Sequence, residues 1–335
     1  MTKRMNEPVK RLGGASSILF GIIGFLMPTQ VMADEVAQLD PTLRGYIKVT
    51  GVSGNLNSIG SDTLNNLMTL WAEGFRKQYP GVKIQIEGKG SSTAPPALIE
   101  GTAQLGPMSR PMKSTEIDSF ERKYKYKPTA FPVAIDALAV YVHRDNPIQG
   151  MTMAQVDAIF SKSRRWGASQ NIERWGQVGV TDDLSSSPIS IYGRNSASGT
   201  YGFFKEHALK NGDYKDEVKE QPGSASVVQG VTEDPSGIGY SGIGYLTSGI
   251  RALPLAEKEG AAFAAPTQEN AMNSSYPLWR HLLLYVNKAP NKPLDPLVKE
   301  FIKFIYSKEG QAVVVKDGFF PLSQTLMEKE LAKVE

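Results

Sequence analysis

The amino-acid sequence predicts an α/β fold in which most neighbouring strands run parallel. Two observations support this prediction. Val82–Ile86 alternates apolar and polar residues as a strand does, and Leu64–Phe75 carries apolar residues at the three- and four-residue spacing of a helix. Segments of these two kinds alternate almost to the end of the 335-residue chain, which is typical of α/β layers.

The remaining predicted elements follow in chain order. Ala137–Val142 and Ile189–Tyr192 are apolar runs that predict buried strands. Thr152–Gln155 has the form of a capping box, which predicts the start of a short helix. Leu294–Ile305 is amphipathic and predicts a helix that we expect to end near Gly310.

Two glycine-rich stretches interrupt this pattern. Residues 167–188 are rich in Gly, Ser and Asp and predict a surface excursion. Residues 237–242 fit the dinucleotide motif G-x-G-x-x-G, but that site needs a long helix immediately after the motif. Residues 243–249 contain two more glycines and make a poor helix, so the sequence does not favour a nucleotide site here.

The N-terminus has the three parts of a secretory signal peptide. Four basic residues precede an apolar run from about Ala15 to Met27, and Val31-Met32-Ala33 supplies small residues for cleavage near Ala33/Asp34. A retained membrane anchor is the alternative, but the run is short for a bilayer span. We therefore expect residues 1–33 to be removed, with no membrane insertion afterwards and a periplasmic location for the mature protein.

Charge and cysteine content narrow the function classes. Residues 1–33 carry four Lys/Arg and one Glu, a charge of +3, and the whole chain is also +3, so the mature protein is close to neutral. A nucleic-acid partner is not expected, because no basic stripe is present. The absence of cysteine excludes disulfides, thiol catalysis, thiolate metal sites and a lipid-modified N-terminus.

Catalytic machinery is scarce in the sequence. The three histidines, His143, His207 and His281, are isolated and lack metal-ligand spacing. Neither G-x-S-x-G nor H-E-x-x-H occurs. We therefore expect no enzyme activity, no cofactor and no metal; a serine hydrolase, the remaining enzymatic alternative, lacks an identifiable base.

Four segments rich in glycine and small hydroxyl residues lie at predicted junctions between strands and helices. Such a junction can bind an anion, because a helix N-terminus presents free N–H groups and a partial positive charge. Ser or Thr adds a hydroxyl donor there, and glycine lets the backbone approach closely. For any one segment alone an ordinary N-cap is the better explanation, but four at alternating junctions favour an oxyanion site. The segments are Gly60–Leu64, Gly88–Thr93, Gly106–Pro111 and Arg194–Thr200.

At these residues the chain resembles the PstS-type phosphate-binding proteins, the extracytoplasmic subunits of bacterial phosphate ABC transporters. Arg194-x-x-x-Ser198-Gly199-Thr200 is similar to the family's R-x-x-x-S-G-T motif, with identical spacing. Gly90-Ser91-Ser92 resembles its G-S-S loop, and residues 307–322 resemble its C-terminal region. The resemblance covers about Ser58 to Leu322, nearly all of the mature chain.

The resemblance implies a fold and a function. The fold is a two-lobed, type II-like periplasmic-binding-protein fold, whose two α/β domains are joined by crossing hinge strands near Ile135 and Tyr245. Residues 34–135 and 246–335 would form lobe I, and residues 136–245 lobe II. The protein would capture inorganic phosphate between the lobes and deliver it to a membrane permease, as a monomer. The alternatives left open are a secreted phosphate-sensing or interaction protein and a receptor for another tetrahedral oxyanion, such as sulfate.

The resemblance also assigns roles to residues. Thr63, Leu64 and Ser91 would donate hydroxyl and backbone hydrogen bonds, Arg194 would be the charged clamp, and residues 198–200 would form the anion-binding helix start of lobe II. The complete set expected to bind the ligand is Ser61, Asp62, Thr63, Leu64, Ser91, Ser92, Ser109, Arg110, Arg194, Ser198, Gly199 and Thr200.

One position departs from the family pattern. Ser109 stands where the family often has an Asp, a carboxylate that can accept the proton of hydrogen phosphate and repel proton-free sulfate. We hypothesise that Asp62 takes over this acceptor role; the alternative is that Asp62 only caps its helix. Arg110 either makes the site more cationic or pairs with an acid at its rim.

Overall fold

The computed structural model describes residues 37–334, and the regular elements in that range follow the apolar patterns of the sequence. The signal peptide and its cleavage site lie outside the described residues. The strands are β1 Gly54–Ile59, β2 Val82–Glu87, β3 Gly106–Met108, β4 Thr129–His143, β5 Met151–Thr152, β6 Ser190–Arg194, β7 Lys219–Gln221, β8 Gly237–Gly242, β9 Ile250–Ala252, β10 Leu255–Ala256 and β11 Trp279–Val286.

The helices surround these strands. They are α1 Asn65–Gln78, α2 Ala94–Glu100, α3 Ser114–Tyr124, α4 Met153–Phe160, α5 Gly199–His207, α6 Ser224–Glu233, α7 Gln268–Met272, α8 Pro296–Ile305, α9 Lys308–Lys316 and α10 Gln324–Leu331. None of the helices within residues 37–334 is both long and apolar enough to span a bilayer.

Helix α1 shows how the predicted pattern becomes packing. Its periodic apolar residues Leu67, Met68, Trp71 and Phe75 are all fully buried. Trp71 also donates its indole N–H to the carbonyl of Gly310 at 2.8 Å, so its one polar atom is satisfied inside the core. This packing fixes the helix whose N-terminal end belongs to the candidate site.

The predicted capping box is present at α4. The Thr152 hydroxyl accepts the backbone N–H of Gln155 at 3.2 Å, and the Gln155 side-chain oxygen accepts the backbone N–H of Thr152 at 2.8 Å. Two backbone donors that the helix cannot satisfy are thereby paired.

A seven-stranded mixed sheet organises the protein. Its order is β3-β11-β4-β8-β6-β7, with β9 also paired to β4. Within residues 37–334, four strand pairs are parallel and four antiparallel, so the prediction of mostly parallel pairing was wrong. The physical reason is that β4 and β11 cross the sheet centre and pair antiparallel with every neighbour they have there.

Gly310 does not end a helix, which corrects a second expectation. The chain turns after Ile305, Ser307 caps a new helix, and Gly310 lies in the first turn of α9. A Cβ at Gly310 would lie 2.1 Å from the carbonyl oxygen of Phe304. Glycine is needed there for close packing of two helices, whereas the sequence alone suggested a C-terminal cap.

The two glycine-rich stretches adopt different structures. Residues 237–242, the G-x-G-x-x-G match, form strand β8 itself, so no helix N-terminus exists there to hold a pyrophosphate. The excursion at 167–188 contains only short 3-10 turns and is anchored by the fully buried Trp175, whose indole N–H donates to the carbonyl of Ser236 at 3.2 Å.

Strand β4 changes partners along its length. Thr129–Ala137 pairs with β11, and Leu138–His143 pairs with β8 and β9. The change falls within a few residues of Ile135, the predicted first crossing. Residues 37–334 nevertheless lie in one compact unit, so the division into two lobes stays a prediction.

Asp317 supplies a pH-dependent test of this fold. Burial raises the pKa of its carboxyl from 3.8 to about 6, although the Asn66 side chain donates to it. The folded state therefore binds this proton more tightly than the unfolded chain, and stability falls as pH rises from 4 through 6. We expect Asp317→Asn to raise the free energy of unfolding at pH 7.5 by on the order of 1 kcal/mol, and to have no effect near pH 4.

Denaturant melts of the two proteins between pH 4 and 8 measure this difference. Asp213→Asn is the matched control, because Lys205 lowers the pKa of this exposed carboxyl and its loss brings no gain at pH 7.5. A pH-independent effect of Asp317→Asn would contradict the assignment.

Candidate functional site

Three helix N-termini and one strand end meet at a single buried point. Asp62–Leu64 forms a 3-10 turn that leads into α1, and Ser91–Thr93 forms one that leads into α2. Ser198 caps α5, with its hydroxyl accepting the backbone N–H groups of Thr200 at 3.1 Å and Tyr201 at 3.3 Å. Ser109 directly follows β3.

Glycines allow the first two loops to approach each other. The backbone N–H of Gly90 donates to the carbonyl of Gly60 at 2.8 Å, and that of Ser61 donates to the carbonyl of Pro107 at 2.8 Å. A Cβ at Gly60 would lie 2.1 Å from the same Pro107 oxygen. Gly90 has φ +117°, a conformation that only glycine adopts readily.

Five buried hydroxyl groups form what we term the hydroxyl cluster. Ser61 Oγ donates to Ser109 Oγ at 3.0 Å, and Ser109 Oγ lies 3.3 Å from Ser91 Oγ and 3.5 Å from Thr200 Oγ1. Thr63 Oγ1 completes the set at 3.0 Å from Thr200 Oγ1. All five residues are at most 2% exposed.

The direction of the hydrogen bonds in this cluster is partly fixed by donor-only groups. Ser91 Oγ accepts the backbone N–H of Ser109 at 3.0 Å, and Thr200 Oγ1 accepts Nη2 of Arg280 at 3.0 Å. A hydroxyl has one hydrogen and two lone pairs, so each of these oxygens can accept there and still donate elsewhere. The cluster is thus arranged to offer hydrogens, which suits an anion with several acceptor oxygens.

Arg194 brings a buried positive charge to this region. Its guanidinium is 1% exposed, donates to Ser224 Oγ at 2.7 Å and to the Pro222 carbonyl at 3.3 Å, and lies 3.3 Å from Asp62 Oδ2. Its Nε is buried without a hydrogen-bond partner among the described residues. Burial lowers the pKa of Arg194, and the Asp62 carboxylate opposes that shift.

Asp62 connects the first loop to the start of α6. Its Oδ2 accepts the backbone N–H of Ser224, the first residue of α6, at 2.8 Å. The hydroxyl of Tyr245 donates to the carbonyls of Asp62 at 3.0 Å and Thr63 at 3.3 Å. Asp62 therefore caps a helix distant in sequence rather than its own turn, in which no side-chain cap is formed.

Two predicted site residues lie at the edge of this arrangement. Arg110 makes a two-pronged pair with Glu116, at 2.7 and 2.8 Å, and a longer contact of 3.4 Å with Ser92 Oγ. The geometry thus corresponds to the alternative in which Arg110 pairs with an acid. Ser92 itself is half-buried, and its backbone N–H donates to the carbonyl of Ala197 at 3.1 Å. The remaining predicted residues all lie in the four converging segments.

Sequence reasoning missed Arg280, Asp136, Ser224 and Tyr245. Arg280 is 4% exposed in β11 and makes a 2.7 Å ion pair with the fully buried Asp136 of β4. Asp136 had a detectable signal, because it is a lone carboxylate in an otherwise apolar run. Ser224 and Tyr245 lie in ordinary surroundings, and only the tertiary fold brings them to the site.

Comparison with known proteins identifies the family. The PBP superfamily domain model matches residues 48–309. The phosphate-binding protein PstS of Pseudomonas aeruginosa strain PAO1 is 59% identical over 302 residues, which are 90% of this chain and 94% of that protein. The chain belongs to the PstS family.

More distant relatives share the PstS fold. PstS of Staphylococcus aureus strain USA300 is 27% identical over 78% of this chain and 76% of its own. A crystal structure from Clostridium perfringens with bound phosphate has a TM-score of 0.68 and 26% identity, covering 81% of this chain and all of that one. The phosphate transport receptor of Vibrio cholerae, at 24% identity and a TM-score of 0.62 over 80% of this chain and all of that one, supports the fold alone. The predicted family and the periplasmic-binding-protein fold are confirmed.

A substitution at Gly199 of this PstS protein tests whether the start of α5 contacts the segments of Ser91 and Ser109. A Cβ at Gly199 would lie 2.2 Å from Ser91 Oγ and 2.6 Å from Ser109 Oγ. Gly199→Ala therefore forces α5 away from the hydroxyl cluster, and we expect it to lower the free energy of unfolding by about 1–3 kcal/mol.

Denaturant melts of the ligand-free protein measure this loss. Gly202→Ala in the same helix is the control, because its Cβ would meet only the Arg110 side chain, at 3.2 Å. Equal stability of Gly199→Ala and the unmodified protein would show that these segments do not meet in solution.

Proposed function

We propose that this protein captures inorganic phosphate and delivers it to the permease of an ABC transporter. The observation that carries the proposal is the hydroxyl cluster at three helix N-termini, with the buried charge of Arg194 beside it. Fixed donors of this kind can replace the water around a tetrahedral oxyanion. Membership of the PstS family supports the same function, and with it a role as a transport component rather than an enzyme.

We further propose that Asp62 provides the acceptor that distinguishes phosphate from sulfate. Hydrogen phosphate carries a proton that a carboxylate can accept, whereas sulfate at neutral pH does not and leaves that carboxylate unsatisfied and repulsive. Ser109 is part of the donor cluster and has no carboxylate to offer. Asp62 lies 3.3 Å from the Arg194 guanidinium and stands in the chain between Ser61 and Thr63, two members of the cluster.

The proposed mechanism uses two lobes, residues 34–135 with 246–335 and residues 136–245. Supporting it, the site is assembled from both: Ser91 and Ser109 come from one predicted lobe, and residues 198–200 come from the other. The polar contacts between the two predicted lobes include hydroxyl hydrogen bonds, the bond from the Ser92 N–H to the Ala197 carbonyl and the Asp62–Arg194 ion pair. Such contacts exchange readily with ligand oxygens, so opening and closing about β4 would expose and enclose the anion.

Titration calorimetry of ligand-stripped protein with phosphate and sulfate tests both proposals. We expect phosphate to bind and sulfate to give no response in the unmodified protein. In Asp62→Asn we expect phosphate to bind about tenfold more weakly and sulfate to become a ligand, because the acceptor and its charge are gone. Asp118→Asn, a change in an exposed acid of α3, is the matched control and should leave both responses unchanged.

The outcomes separate the two proposals. Binding of sulfate in preference to phosphate, or of neither anion, would refute the phosphate function and favour the other oxyanion receptor or the sensing protein. Phosphate binding that Asp62→Asn leaves intact, with sulfate still rejected, would refute only the role of Asp62.

Proteins of the PstS family are periplasmic. We propose that this chain reaches that compartment by cleavage between Ala33 and Asp34, and that it acts there as a monomer. Intact-mass spectrometry of the exported protein should give the mass of residues 34–335, and light scattering should give the same mass in solution. A retained N-terminal segment or a stable dimer would contradict these expectations.

A further inference from the structure

Arg280 lies outside the four anion-loop segments yet donates hydrogen bonds to two of them, at Ser109 and Thr200. It comes from β11, and its side chain is 3% exposed. Nε and Nη2 bind Asp136 Oδ2 at 2.9 and 2.7 Å. Nη1 donates to the Ser109 carbonyl at 2.8 Å, and Nη2 donates to Thr200 Oγ1 at 3.0 Å.

These contacts hold the guanidinium in one orientation. Asp136 is fixed in turn, because its Oδ1 accepts the backbone N–H of Ile243 at 2.9 Å. The ring of Phe203, in α5, lies beside the guanidinium at 5.2 Å from its central carbon. The orientation of the hydrogen directed at Thr200 is therefore set by groups that are not themselves in the hydroxyl cluster.

A guanidinium can donate but never accept. Thr200 Oγ1 must therefore use one lone pair towards Arg280, which leaves its single hydrogen and its second lone pair for Thr63, Ser109 or a bound anion. The charge of Arg280 strengthens this bond, since ion-assisted hydrogen bonds are shorter and stronger than neutral ones. Asp136 balances the charge locally, so Arg280 imposes direction on the cluster without adding net charge.

We infer that Arg280 is a positioning residue that orients the Thr200 hydroxyl as a donor and thereby raises the affinity of the site for phosphate. This inference rests on the proposed function and adds to it a positioning residue that no anion-loop motif contains. Arg280 acts through Thr200 and through the Ser109 carbonyl, and the direct ligand contacts remain those of the loops.

A double-mutant cycle between Arg280→Lys and Thr200→Val tests the inference. Lysine keeps the charge but cannot reach Asp136, Ser109 and Thr200 together, and valine removes the hydroxyl at nearly constant shape. We expect Arg280→Lys to raise the Kd for phosphate about tenfold when Thr200 is present. In the Thr200→Val background we expect the same change to alter the Kd less than about twofold, because the hydroxyl to be oriented is absent.

Arg251→Lys is the matched control. Arg251 is also partly buried and donates to the backbone carbonyls of Asn146 and Ile148. It pairs with Val142 of β4, six residues and therefore about 20 Å along the strand from Asp136. We expect it to lower the melting temperature and to leave the Kd for phosphate unchanged. If Arg251→Lys raised the Kd as much as Arg280→Lys does, the loss of affinity would reflect lower protein stability and the inference would be wrong.

A paired variant covers the case in which Arg280→Lys does not fold. Asp136→Asn with Arg280→Met removes both buried charges together and leaves neither unpaired. We expect this paired change to raise the Kd for phosphate when Thr200 is present and to alter the Kd little in the Thr200→Val background, as for Arg280→Lys. Equal, additive losses in both backgrounds would overturn the inference, while absence of phosphate binding in the unmodified protein would overturn the proposed function instead.

Discussion

The buried pair between Arg280 and Asp136 is the interaction on which the rest of the site depends. Removing two charges from water is costly, and the cost is offset only when geometry and additional hydrogen bonds are good. Here the pair joins β4 to β11, and its remaining bonds reach Ile243 after β8, the carbonyl of Ser109, and Thr200 at the start of α5. One ion pair thus links the sheet centre to two of the four candidate segments, which makes their relative placement a consequence of strand pairing.

The site itself uses dipoles more than charge. The mature chain is nearly neutral, and the buried or half-buried charges at the site form neutral pairs: Arg194 with Asp62, Arg280 with Asp136 and, at the edge, Arg110 with Glu116. Attraction for an anion must then come from helix N-termini and from hydroxyls whose direction is fixed by backbone N–H groups and by Arg280. Because such donors act only at short range, they bind an oxyanion that fits the site and attract other anions only weakly.

The parts of this arrangement that are local in sequence could be predicted. Strand β2, helix α1, the capping box at Thr152 and the Ser198 cap follow from nearest neighbours along the chain, and so do the four anion-binding segments. Strand direction and the role of Gly310 could not, because both depend on which distant segment lies alongside. Arg280 was missed for the same reason, since nothing around Trp279–Val286 shows that Asp136 will be its partner.

Asp62 already caps α6 and lies beside Arg194, so its carboxylate must have a free lone pair if it is also to accept the proton of phosphate. A carboxylate has about four lone-pair positions on its two oxygens. Both contacts, with Ser224 N–H at 2.8 Å and with Arg194 at 3.3 Å, involve Oδ2, which leaves Oδ1 without a hydrogen-bond partner among residues 37–334. Capping and the proposed proton acceptance would therefore use different oxygens. The alternative posed from the sequence, a cap on its own helix, is not formed. The cap of α6 instead gives the carboxylate a fixed orientation, which a selective acceptor would require, so this cap and the proposed acceptor role are compatible.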